Sequence, residues 1–158
     1  MRLPLVELAL LALAAAVVAT ALTRCSGGSR GVLVRASWTL TPGVLNPAVT
    51  QATIAATICR RGWTRTVRPP VSYTNALKQR GLRQYGVRGP PSAFQEDHLI
   101  SLELGGDPVD PRNLWPEPYP RAAEVDRVEN DLNRRVCDGS LSLAEAQRRE
   151  SALKHGEG

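Results

Sequence analysis

Hydrophobic and polar positions change period several times along the chain. Residues 8–22 are almost wholly apolar and follow a minimal positive start at Arg2. Ala19-Thr20-Ala21 fits the small-x-small cleavage pattern of a secretory signal. The uncharged run of 15 residues is short for a span of ~20, although counting back across Glu7 to Leu3 restores that length. Residues 1–21 are therefore expected to be a signal peptide or a membrane anchor. Residues 22–37, rich in Ser and Gly, read as a flexible linker, with order expected from Trp38. Asn46-Pro47 predicts a helix start, with an apolar stripe at Val49, Thr53, Ile54 and Ile58 and a stop at Gly62. Arg68-Pro69-Pro70 predicts an extended crossing. Ser72 or Thr74 then caps a short helix to about Arg80, ended by Gly81, and residues 85–91 form a loop. Residues 94–104 hold a strand and a turn, and the Gly105-Gly106-Asp107-Pro108 and Asp110-Pro111 turns lead to a second extended piece at 113–116. Pro120 opens a long helix over 121–136, with its buried stripe at Ala122, Val125, Val128 or Glu129, Leu132 and Val136. Ser142 and Glu145 form a capping box for a last helix to about Lys154. The order helix, helix, strand, loop, strand, helix, helix predicts a small, mostly helical α+β domain over residues 38–155.

Composition narrows this picture. With 158 residues the chain is long enough for one domain with a real core, and no repeat of 20 to 50 residues is visible. Aromatics are only 4%, so that core must be built from aliphatic side chains. Charge is placed unevenly. Residues 8–95 contain no carboxylate but ten Arg and one Lys, whereas 96–158 hold 14 acids and 8 bases. A GC-rich genome explains Arg outnumbering Lys 18 to 2; it does not explain 88 residues without an acid. A basic half points to a polyanionic partner.

An exported chain meets an oxidising compartment, which makes the cysteines readable. Cys59 and Cys137 are the two within the globular part; they form either a bridge or two buried thiols, and export favours the bridge. Cys25 is left in the leader, where Arg24 directly before it argues against lipidation.

The candidate chemistry centres on Asp97-His98, followed by a Gly-Gly loop and Asn113 ahead of the long helix. Residues 96–106 (EDHLISLELGG) and 113–117 (NLWPE) resemble the HNH endonuclease superfamily, the ββα-metal nucleases, and within it a group of small exported bacterial HNH-like proteins. The likeness extends over about 40–147, through Arg68-Pro69-Pro70 and both cysteines. It implies a ββα-metal hairpin-helix motif and metal-dependent hydrolysis of phosphodiester bonds. His98 would be the general base, suited by an imidazole pKa of ~6.5. Asp97 would be a hard oxygen ligand for a divalent ion. Asn113 would hold the His-bearing loop in place.

One departure stands out. The superfamily's further ligand, a His or Asn about one turn into the helix, is replaced by Ala122. Asp126 is the first candidate to take over, with Glu129 one turn on; the competing reading is a solvated face paired with Arg127 and Arg134. Such a carboxylate-dominated site favours Mg²⁺ or Mn²⁺ over Zn²⁺. Glu103 is either a ligand or a loop brace. Arg68 is either a phosphate contact or an ion-pair partner of an acid such as Glu96, and Arg61, Arg65 and Lys78 are further nucleic-acid contacts. Trp115 reads as core, and Trp63 and Tyr73 as packing or stacking groups. His155 is expected to be solvated.

The expected function is an exported endonuclease acting on nucleic acid, DNA first and with low sequence specificity, since no groove-reading module is visible. The alternative is a non-catalytic exported module binding DNA or an anionic envelope polymer on the same scaffold. No protein partner is indicated, and a membrane is involved only through an uncleaved N-terminal segment.

Overall fold

The computed structural model describes residues 34–156. The expected leader or anchor, Cys25 and most of the linker lie outside the described residues. Packing is present ahead of the expected Trp38: Val34 and Ala36 are buried, and the Ala36 amide donates to the Lys154 carbonyl at 3.1 Å. Among the described residues no helix is long and apolar enough to cross a membrane.

The described chain is a small α+β domain. Its helices are α1 (Trp63–Val67), α2 (Val71–Gln84), α3 (Tyr119–Cys137) and α4 (Leu143–His155), and its strands are β1 (Phe94–His98) and β2 (Leu114–Pro118). The strands pair antiparallel, with Asp97 opposite Trp115 and His98 opposite Leu114. The expected stripe of α3 is the buried one, and it takes Glu129 rather than Val128. In α4 the Ser142 side chain accepts the Glu145 amide, one half of the expected capping box, while the Glu145 carboxylate accepts from Arg148 and Arg149 instead of closing the other half.

Two expected helices differ from what forms. No helix runs from Asn46 to Gly62; turns and a single 3-10 turn at Ile54–Ala56 take its place. Local side chains explain this: Asn46 Oδ1 accepts the Ala48 amide, Thr53 Oγ1 donates to the Ala48 carbonyl, and Thr57 Oγ1 donates to the Thr53 carbonyl. These bonds offer the backbone an alternative to a helical ladder. Gly62, at φ 83°, sits at the start of α1 instead of ending a helix. Gly81 does not end α2 but lies inside it, where an added Cβ would stand 3.1 Å from Pro116 Cδ. The glycine is there for close approach of helix to hairpin.

One apolar cluster joins Val49, Ile58, Ile100 and Leu104 to α3 and α4 through Leu132, Val136 and Ala146. A second gathers Val34, Ala36, Leu82, Phe94, Leu99 and Trp115 behind the hairpin. Cys59 and Cys137 form a disulfide with Cα atoms 5.5 Å apart, tying the turn region to the end of α3.

Candidate functional site

The site is built where β1 ends. Leu99 and Ile100 are buried and anchor the strand exit, so His98 stands at a fixed point above the core. Asn113, fully buried just before β2, clamps the loop between the strands. Its Oδ1 accepts the Ile100 amide at 2.9 Å, and its Nδ2 donates to the carbonyls of Ile100 at 3.0 Å and Asp107 at 2.9 Å. The loop is so tight that a Cβ on Gly106 would lie 1.8 Å from the Ile100 carbonyl oxygen.

His98 is buried at its ring, and its Nε2 lies 3.1 Å from the Pro108 carbonyl oxygen. A carbonyl only accepts, so Nε2 carries the hydrogen and the neutral ring keeps its basic lone pair on Nδ1. Burial lowers the imidazole pKa, opposed by the Pro108 hydrogen bond and by Asp97, while Lys154 and Arg68 add to the lowering. The ring is therefore neutral at pH 7.

His98 borders a polar cavity of about 390 Å³, whose wall includes Arg68, Glu96, Asp97, Glu103, Asp126 and Glu129. Acids outnumber bases there. Burial, reinforced by Glu129 and Asp126, pushes Glu103 up to about 7. Burial also raises Glu96 to about 8 against the pull of Lys78, and Glu96 Oε2 has no hydrogen-bond partner. Burial is the first cause of both shifts, so near neutral pH these carboxyls keep their protons in part unless a cation joins them.

The cation that is present comes from α4. The Lys154 ammonium is fully buried, 2.9 Å from Asp97 Oδ2, 2.6 Å from Glu129 Oε1 and 3.2 Å from Glu150 Oε1, and it donates to the His98 carbonyl. Burial alone would lower its pKa, but Asp97, Glu150 and Glu129 together hold it well above the usual lysine range. Burial pushes the Glu129 and Glu150 carboxyls upward despite this partner.

The cavity thus brings together Asp97, His98, Asp126, Glu129 and Arg68, with Asn113 beneath as the loop clamp. Asp126 is exposed at the rim, as a solvated face would have it, and Arg134, one of the two partners that reading named, pairs with Asp131. Arg68 makes no ion pair with Glu96 among the described residues, and its exposed side chain borders the cavity. Arg65 is exposed on α1, and Arg61 lines an adjoining recess with Cys59, Glu103 and Cys137. Lys78 is not at the cavity; its Nζ donates to the Phe94 carbonyl at 3.2 Å. The Glu103 backbone carbonyl accepts from Asn133 Nδ2, so the residue braces the loop while its side chain lines the cavity. Trp115 is core, Trp63 packs on the first cluster, and the Tyr73 hydroxyl donates to the Val109 carbonyl. His155 is not solvated. It is buried and stacked on Trp38 with ring centroids 3.6 Å apart, because α4 carries it back under the segment that contains Trp38.

Sequence reasoning missed Lys154, Glu150 and Glu117. Glu117 is wholly buried in β2, and burial first, then Asp97, pushes its carboxyl up to about 8. One signal was available for Lys154: a chain that otherwise uses Arg keeps Lys at only two positions, and both ammoniums bond backbone carbonyls inside the fold.

Among the described residues, no three His, Cys, Asp or Glu side chains close around one point as a ready metal site. Lys154 stands between Asp97 and Glu129, the two that would begin such a site. The donor type at the cavity, carboxyl oxygen, is the one a hard divalent ion takes. Comparison with family models, with curated proteins and with solved structures finds no match.

Proposed function

We propose that this chain is an HNH-type endonuclease that hydrolyses phosphodiester bonds in nucleic acid, DNA first and with low sequence specificity. The observation that carries the reading is the cavity of about 390 Å³ in which a neutral, backbone-oriented His98 meets Asp97, Asp126 and Glu129 beside Arg68. On this reading β1, β2 and α3 form a ββα-metal motif.

His98 Nδ1 takes the proton of an attacking water, and the Nε2–H bond to Pro108 keeps the ring in the tautomer and orientation this needs. Asn113 acts through the loop: by holding Ile100 and Asp107 it fixes the backbone on which His98 stands. Asp97, with Asp126 and Glu103 on the same wall, would hold a divalent ion, Mg²⁺ or Mn²⁺ before Zn²⁺. When bound, that ion supplies charge stabilisation at the phosphate and the leaving oxygen. Arg68 at the rim, with Arg65 and Arg61 exposed beyond it, attracts the phosphate backbone. The disulfide supports an exported setting, in which such bridges persist.

One observation favours a second reading. Lys154 already neutralises the inner oxygens of Asp97 and Glu129. The same surface would then serve as a non-catalytic module binding DNA or an anionic envelope polymer. Plasmid nicking with Mg²⁺ and with Mn²⁺ separates the two. The wild type is expected to nick, and His98→Ala is expected to lose about 10²–10⁴-fold in rate while retaining its fold and DNA affinity. A wild type that binds DNA but cuts no nucleic acid with any divalent ion refutes the nuclease and leaves the binding module.

A further inference from the structure

The proposed chemistry leaves one charged group of the site unused. Lys154 lies near the end of α4, and its ammonium is surrounded by four oxygens: one carboxylate oxygen each from β1 (Asp97), α3 (Glu129) and α4 (Glu150), and the backbone carbonyl of His98. This is an all-oxygen set at the distances of charge-assisted hydrogen bonds and ion pairs, around an ammonium that no solvent reaches. An ammonium has three hydrogens, so it cannot satisfy four oxygens at once. The shortfall is visible at Glu129 Oε1, which lies 2.6 Å from the ammonium yet makes no hydrogen bond, while Glu150 Oε1 takes its bond from the Ser101 amide. Three carboxyl groups share one unit of positive charge. With the amine in place the carboxyl oxygens stand 2.6 to 3.2 Å from its nitrogen, too far apart for a divalent ion; without it they would leave buried oxygens of the donor type that a hard cation takes.

Neither Lys154 nor Glu150 lines the cavity, whereas Asp97 and Glu129 do. Those two residues are thus shared between an inner seat, filled by the amine, and the outer cavity that opens past Asp126 and Glu103. We propose that the Lys154 ammonium is the permanent cation of the inner seat. It replaces a metal ion there, restricts any divalent ion to the cavity side, and acts as a positioning residue for the Asp97-His98 pair. The part concerning the cavity ion rests on the nuclease reading; the replacement of a metal by Lys154 does not.

The test titrates the full-length protein with Mn²⁺ alone and follows the electron paramagnetic resonance signal of the free ion. The wild type is expected to bind one Mn²⁺, at least tenfold more weakly in Asp126→Asn and unchanged within twofold in Glu150→Gln. Lys154→Met is expected to gain a second Mn²⁺, or to bind the first at least tenfold more tightly, and adding Glu150→Gln is expected to abolish that gain. Where Lys154→Met does not fold alone, its circular dichroism is expected to return to native form on adding Mn²⁺, again reversed by Glu150→Gln. Two results overturn the proposal: a tenfold loss of wild-type Mn²⁺ affinity on Glu150→Gln, which would put the ion in the inner seat, or no gain of Mn²⁺ binding by Lys154→Met. Failure of the nuclease reading looks different. The wild type then binds no Mn²⁺ and cuts nothing, while the gain in Lys154→Met still appears.

Discussion

Glu117 shows how the site's charge reaches into the hairpin. Its side chain is wholly buried; Oε2 accepts from Gln95 at 3.3 Å, and Oε1 has no partner. Burial, with Asp97 nearby, raises the carboxyl from 4.5 to about 8. A folded-state pKa above the unfolded one means that the fold binds a proton the unfolded chain releases. Stability tied to Glu117 is then complete below about pH 4.5 and declines as the pH rises through 8. Glu117→Gln keeps the acceptor for Gln95 and removes the titration. The variant is expected to match the wild type in urea unfolding at pH 4 and to exceed it by about 4 kcal/mol at pH 8. Equal stabilities at both pH values would show that Glu117 is not buried as a neutral acid.

At the scale of elements, the loop between β1 and β2 is the part that the site cannot do without. It has to bring Asn113 back under Ile100, and only a residue without Cβ fits where Gly106 passes the Ile100 carbonyl. Gly106→Ala therefore forces the clamp open. The expected cost is above ~2 kcal/mol, with loss of nicking, because the buried amide and carbonyls that Asn113 satisfies lose their partner. Gly139→Ala is the comparison: its φ of 82° strains an alanine, but nothing lies within 4 Å of the added Cβ. That change is expected to cost only about 1 kcal/mol and to leave nicking intact. Unfolding midpoints that fall equally in both variants would remove the steric argument for Gly106.

Across the whole molecule, the disulfide is the one covalent cross-link among the described residues. It closes a separation of 78 residues, from the turn region that precedes the arginines to the end of the helix that carries Asp126 and Glu129. Replacing both cysteines by serine is expected to lower unfolding free energy by about 4 kcal/mol in the chain-entropy treatment. The check is urea unfolding of this variant beside the wild type with and without reductant. Reductant is expected to bring the wild type close to the variant and to leave the variant unchanged. A wild type indifferent to reductant would mean that the bridge carries little of the fold.

What could be read from sequence was local. The strand at Asp97-His98, the second strand after Asn113, the apolar stripe of α3 and the Ser142 cap of α4 depend on period and on neighbouring residues, and each is where the pattern placed it. The meeting of Asp97, His98 and Asn113 at one loop was legible for the same reason, as neighbouring residues around a glycine turn. The region 46–62 misled because its Asn and Thr side chains bond their own backbone, a competition that an apolar stripe does not reveal. Gly81 looked like a stop because its reason, Pro116, lies 35 positions away. The cation of the site lay further still from sequence reading. Lys154 meets Asp97 across 57 positions and owes its charge to three carboxylates on separate elements. Burial of that kind is a property of the assembled fold: it raises the cost of every unpaired charge, and so decides which of many surface-looking residues must find each other.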